Sequence, residues 1–135
     1  MKIIVVCVIS LMGLVQAGIL NDEQKAKIIE FDKECRKETN LDDDVAQKAK
    51  NGEYVDDPKL KKQFFCFNKK AGFQNESGDF QVDFIKSKLN DITKDEQITN
   101  NLINKCLVKK STPEDTAFEA IKCFHQMSPE KDLLS

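Results

Sequence analysis

Four cysteines, Cys35, Cys66, Cys106 and Cys123, are spaced 31, 40 and 17 residues apart. Each falls in a stretch whose apolar residues recur every three or four positions, the period of a helix with one buried face. Cysteines on apolar helix faces confine a chain to folds in which those faces meet. As nucleophiles or metal ligands they are poorly placed, because no two of the four are closer than 17 residues and zinc sites need short spacings. As disulfides, four cysteines allow three pairings, and sequence alone does not choose among them.

The fifth cysteine, Cys7, lies in a different kind of segment. Lys2 precedes an apolar run from Ile3 to Val15, and Val15-Gln16-Ala17 places small residues at both cleavage positions. This is the pattern of a secretory signal peptide over residues 1–17. The run is too short to span a bilayer comfortably, and no other segment approaches it, so no membrane insertion is expected. Cleavage leaves residues 18–135 as a single domain with an even number of cysteines. Export into an oxidising compartment then favours two disulfides over free thiols.

Six helices are expected, and no run alternates convincingly between apolar and polar residues. The first spans about Asp22 to Thr39, with Ile28, Phe31 and Cys35 on one face. A short second helix follows Asp42, with Val45 and Ala49 inward and Gly52 as its stop. Asp57-Pro58 supplies an N-cap and a first-turn proline for a third, which carries Leu60, Phe64, Phe67 and Ala71 and ends at Gly72. After the polar turn Asn75 to Asp79, a fourth helix over Val82 to Asn90 presents Val82, Ile85 and Leu89. Thr93-Lys94-Asp95-Glu96 reads as a capping box for a fifth, with Ile98, Leu102 and Cys106 inward and Ile103 and Leu107 near them. The sixth starts at Thr112-Pro113, carries Ala117, Phe118, Ile121 and Phe124, and ends at Ser128-Pro129. The fold class is all-α.

Several chemistries have little support. His125 is the single histidine, and no nucleophile-elbow motif precedes it, so a surface or structural role is favoured over catalysis. Asn75 to Asp79 is rich in oxygen, but Gly78 stands at the wrong position for a calcium loop and no glutamate follows at the twelfth. No metal or cofactor is expected. Without Lys2, 20 basic residues face 23 acidic ones; they are interleaved, so there is no nucleic-acid stripe. Asn75-Glu76-Ser77 matches a glycosylation sequon in a surface turn. The remaining asset is apolar: nine phenylalanines, one tyrosine and no tryptophan. Each phenylalanine taken singly is better read as core, yet short crossing helices also leave pockets for small molecules.

The cysteine spacing, the six helices and two stretches together carry a resemblance. "CFNKKAGFQNESGDFQ", from Cys66, and "EDTAFEAIKCFHQ", which contains Cys123, resemble segments of the insect odorant-binding proteins, the pheromone-binding and general odorant-binding family. The likeness covers nearly all of the chain after the signal peptide. That family commonly has six cysteines. Two are missing here, at Lys62 and Glu114, and they are each other's partners in the family's pairing. The chain therefore resembles the four-cysteine "minus-C" subgroup. The resemblance implies Cys35–Cys66 and Cys106–Cys123, so that Cys66 ties the third helix to the first. Lys62 and Glu114 are expected to form an ion pair where the third disulfide would sit.

The resemblance also implies a function: non-covalent carriage of a small hydrophobic molecule in aqueous secretion, with no bond made or broken. The expected ligand is a volatile alcohol, ester, terpenoid or fatty-acid derivative. An odorant receptor is the further candidate partner, and the protein would be a secreted monomer or weak dimer. Candidate lining residues are Phe64 and Phe67 on the third helix, Ile85 and Leu89 on the fourth, and Leu102 on the fifth. Phe118, Ile121 and Phe124 on the sixth complete the wall, and Leu133 with Leu134 in the tail would cover the opening. The alternative is a salivary, venom or other glandular protein of the same fold, with a different ligand or a protein partner.

Overall fold

A computed structural model describes residues 22–127. The expected signal peptide and the tail residues Leu133 and Leu134 lie outside them. The described chain forms α1 (Asp22–Thr39), α2 (Asp43–Lys50), α3 (Pro58–Ala71), α4 (Val82–Thr93), α5 (Glu96–Cys106) and α6 (Pro113–Met127). Among the described residues the extended structure amounts to one isolated bridge, Gln74 to Phe80.

Local chemistry sets the boundaries. Asp57 caps α3 by accepting from the Lys59 and Leu60 N–H groups at 2.7 and 3.3 Å, a contact that stabilises a helix by about 1 kcal/mol. Gly72, at φ +87°, stops α3. The Gly72 N–H then bonds the Lys69 carbonyl and the Phe73 N–H bonds the Asn68 carbonyl, which is a Schellman closure. At α5 the cap differs from the expected capping box. Asp95, not Thr93, accepts from the Gln97 and Ile98 N–H groups at 2.9 and 3.2 Å. Thr93 remains in α4, buried, where its hydroxyl is 2.8 Å from that of Thr99.

The helices pack in series. α3 lies between α1 and α6, α6 also packs on α5, and α5 packs on α4. Two disulfides join this series at different points. Cys35–Cys66 ties α1 to α3 and Cys106–Cys123 ties α5 to α6. Between α1 and α3, the buried Gln63 donates to Asp32 Oδ1 at 3.0 Å and to the Asp32 carbonyl at 3.2 Å. Its Oε1 accepts from the Thr39 hydroxyl at 2.9 Å.

Two apolar positions depart from expectation. Val82 and Ile98 are 44% and 37% exposed. Both sit in the first turn of their helices, before packing begins. In α2 it is Ala46 and Ala49 that are buried, with Val45 only partly so.

Candidate functional site

The eight candidate lining residues within the described range are all buried, but in two clusters rather than one. Phe64, Phe67, Phe118 and Ile121 belong to the first, built from α1, α2, α3 and α6. Ile85, Leu89, Leu102 and Phe124 belong to the second, built from α4, α5 and the end of α6. Leu133, the ninth candidate, lies outside the described residues. α6 serves both clusters because Phe118, Ile121 and Phe124 follow one another at steps of three along a single helix.

The first cluster is aromatic. Phe64 stacks on Phe118 with ring centroids 6.1 Å apart and planes at 22°. Phe67 meets the edge of Phe31 at 6.1 Å, and Tyr54 stands edge-on to Phe64 at 5.9 Å and to His125 at 5.4 Å. Such pairs add about 0.5–1.5 kcal/mol each beyond simple burial. The second cluster is mainly aliphatic, and the Cys106–Cys123 disulfide stands beside it.

Phe73 packs against both clusters. It follows the α3 stop and turns toward α4, where its ring meets Phe84 at 5.7 Å. Neither Phe73, Phe84 nor Tyr54 was among the sequence candidates. A signal for Phe73 exists: the residue just after a Schellman glycine is often apolar and packs back on the structure.

After Phe73 the polar turn is built as a unit. The Asn75 side-chain oxygen accepts from the N–H groups of Ser77 and Asp79, both at 2.9 Å. Lys109 Nζ reaches Asp79 Oδ1 at 2.6 Å, and this hydrogen bond holds the Asp79 carboxyl below the usual carboxylate range. Gln74 is buried and anchors the turn from inside, donating to the Gly78 carbonyl at 3.0 Å.

The expected ion pair between Lys62 and Glu114 does not form. Lys62 is exposed. Lys61, one residue earlier, points to α6 instead, because each residue turns a helix face by about 100°. Its ammonium lies 5.3 Å from the Phe118 ring centre and within 2.9 Å of both Asp56 and Asp115. Hydrogen bonds to Asp115 and Asp56 raise its pKa.

Among the described residues no group of three or more His, Cys, Asp or Glu is placed to hold a metal. No described helix is long and apolar enough to cross a membrane.

This helical fold has known counterparts. The profile of the PBP/GOBP family matches residues 17–127. The chain belongs to this family. It is similar to the B1 protein of Tenebrio molitor, 37% identical over 120 residues that cover 89% of this chain and 92% of that protein. Among solved structures it resembles the fatty acid binding protein OBP56a from the oral disk of the blowfly Phormia regina. That match has a TM-score of 0.68 at 29% identity, over 82% of this chain and 96% of the other. The THP12 carrier protein from yellow meal worm matches with a TM-score of 0.57 at 41% identity, over 67% of this chain and 84% of that one. Within the PBP/GOBP frame the two bridges take the pairing that the resemblance implied.

Proposed function

We propose that this PBP/GOBP family member is a secreted carrier that binds one small, largely apolar molecule between its two clusters and releases it unchanged. The observation that carries the reading is the division of the core. Phe64, Phe67, Phe118 and Ile121 form one wall, Ile85, Leu89, Leu102 and Phe124 the other, and Phe73 belongs to both. A ligand lying along that seam gains about 25 cal/mol for each Å² of apolar surface it removes from water. A similar protein described as a carrier supports carriage, and one described as a fatty acid binding protein supports an apolar cargo.

Three finer points belong to the proposal. Residues 1–17 direct export and are removed. The protein is of the minus-C type, with Lys62 and Glu114 at the places of the absent cysteine pair. It works as a monomer or weak dimer, and the cargo is an odorant, a pheromone or a related fatty-acid derivative.

The test is a titration of the mature, oxidised protein with diphenylhexatriene, an apolar probe whose emission rises when it leaves water. Saturation near one probe per chain is expected. Phe118→Leu and Leu102→Ala, one from each wall, should both weaken it while leaving a cooperative melt. If the probe does not bind to a protein whose helicity and disulfides are intact, the two clusters are closed core and carriage is wrong.

A further inference from the structure

Asn68 lies on α3 one turn beyond Phe64 and is only 4% exposed. Its Nδ2 donates to Gln74 Oε1 at 2.6 Å, and Gln74 Nε2 donates to the Gly78 carbonyl at 3.0 Å. A main-chain carbonyl can only accept. Gln74 must therefore turn Nε2 to Gly78 and Oε1 to Asn68, which in turn must offer its nitrogen. The chain of bonds fixes the Asn68 amide in one orientation and leaves Oδ1 as the free end. That oxygen is buried and meets no donor among the described residues.

A buried acceptor left unmet forfeits the hydrogen bond it would make to water. Valine or leucine at this place would remove that oxygen but leave the buried Gln74 Oε1 without its donor, so the amide is needed for one bond and carries its unmet oxygen with it. Its location gives it a use. The Asn68 carbonyl receives the N–H of Phe73 at 2.8 Å, and Phe73 is the side chain that the two apolar clusters share. The side chain of Asn68 in turn bonds Gln74, the next residue, so main chain and side chain of Asn68 both stand against the Phe73–Gln74 segment.

We propose that Asn68 Oδ1 is the polar anchor of the binding site and selects ligands that carry a hydroxyl hydrogen. This rests on the carrier reading above. An apolar alcohol donates to the oxygen and lays its hydrocarbon chain between the clusters. An ether or ester offers no donor and leaves the oxygen unmet. A carboxylate sets acceptor against acceptor, so a fatty-acid anion binds less well than the alcohol of the same length.

The experiment displaces diphenylhexatriene from the mature, oxidised protein with dodecan-1-ol, its isomer methyl undecyl ether, and dodecanoate. The isomers share composition and size, so their difference reads the hydroxyl. The alcohol should displace the probe at about one-tenth the concentration the ether needs, the scale of one buried hydrogen bond. Dodecanoate should also trail the alcohol. Asn68→Leu with Gln74→Leu, which leaves neither amide oxygen, should still bind the probe and lose the preference for the alcohol. Equal displacement by alcohol and ether in the wild type would overturn the proposal and assign the oxygen to a buried water. A preference that survives in the double variant would overturn it too. Should the double variant fail to fold, the wild-type ratio decides alone. Failure of the probe itself to bind sinks the carrier reading, and this proposal with it.

Discussion

The Lys61 ammonium on α3 lies 2.9 Å from the Asp115 carboxylate on α6 and 5.3 Å from the centre of the Phe118 ring. One side chain thus joins the two helices by charge and covers the aromatic stack beneath them. Lys61→Met keeps the stem and removes the charge. It should lower the melting temperature slightly in low salt, and the difference should shrink in 1 M salt, because partly exposed ion pairs are screened. The sign with pH is also fixed. A lysine with a raised folded pKa contributes fully below its unfolded value of 10.5 and loses that contribution as pH rises through the folded value. Melts of the two proteins should therefore keep their full gap at pH 8 and only begin to narrow it at pH 11.

The neighbouring positions, Lys62 and Glu114, test the minus-C reading. Lys62→Cys with Glu114→Cys should close a third bridge on oxidation. Closing a loop of about fifty residues stabilises by up to about 4 kcal/mol on the chain-entropy argument. Mass spectrometry checks the bond and a urea melt checks the gain. Two free thiols in the folded double mutant would mean that these are not the family's missing cysteine positions.

Much of this fold is legible in sequence where a local rule is unambiguous. Asp57-Pro58 and Gly72 bracket α3 because a cap, a first-turn proline and a left-handed stop each act within a few residues. Thr93 and Asp95 show the limit. Both can cap, and the buried Thr93–Thr99 hydroxyl pair, a tertiary contact, draws Thr93 away from that role. The lining residues are legible as buried because periodicity reports burial. Periodicity does not report which cluster a face joins, so the split between Phe64 and Leu102 is invisible until the helices are placed. Lys61 and Lys62 make the same point at higher resolution, since one step along the helix separates an inter-helix contact from an exposed charge. The Asn68–Gln74–Gly78 relay is not legible at all, for it joins ordinary surface residue types through a turn whose path only the fold defines.

Gly78 should not tolerate a side chain. Its φ is +89°, and a Cβ there would lie 2.8 Å from the Pro113 Cβ and 3.0 Å from its Cα. Neither the turn nor the first turn of α6 can yield easily, because Gln74 and Lys109 hold the turn from both sides. Gly78→Ala should destabilise by roughly 1–3 kcal/mol from the left-handed backbone alone, with the contact at Pro113 adding to it. Chemical denaturation gives the number. A loss below 0.5 kcal/mol would place the turn farther from α6.

Asp32 should make the α1–α3 contact weaker at neutral pH than it is in acid. Burial is the largest influence on its carboxyl and raises its pKa, against the opposing pull of Arg36, the Gln63 hydrogen bond and Lys50. A carboxyl with a raised folded pKa favours the folded state most below its unfolded value, near 3.8. That stabilisation fades as pH rises through the folded value. Asp32→Asn keeps an acceptor for Gln63 and removes the half-buried charge. It should melt higher than the wild type at pH 7, and the gap should close near pH 3. A variant that melts lower at pH 7 would mean that Arg36 and Lys50 outweigh the cost of burial.

The two disulfides should differ in what they protect. They close loops with separations of 31 and 17 residues, so chain entropy assigns about 4 kcal/mol to Cys35–Cys66 and about 3 kcal/mol to Cys106–Cys123. Stability alone would rank the first as the more important. Ligand binding should rank them the other way. Cys35–Cys66 ties α1 to α3, which also share the Asp32–Gln63–Thr39 hydrogen bonds. Cys106–Cys123 ties α5 to α6, the main helix contact between the α4–α5 wall and the rest of the described chain. Replacing Cys106 and Cys123 by serine should therefore weaken diphenylhexatriene binding more than replacing Cys35 and Cys66, even though it costs less in a urea melt. If both rankings run in the same order, the second wall is held by packing alone and its disulfide has no special part in binding.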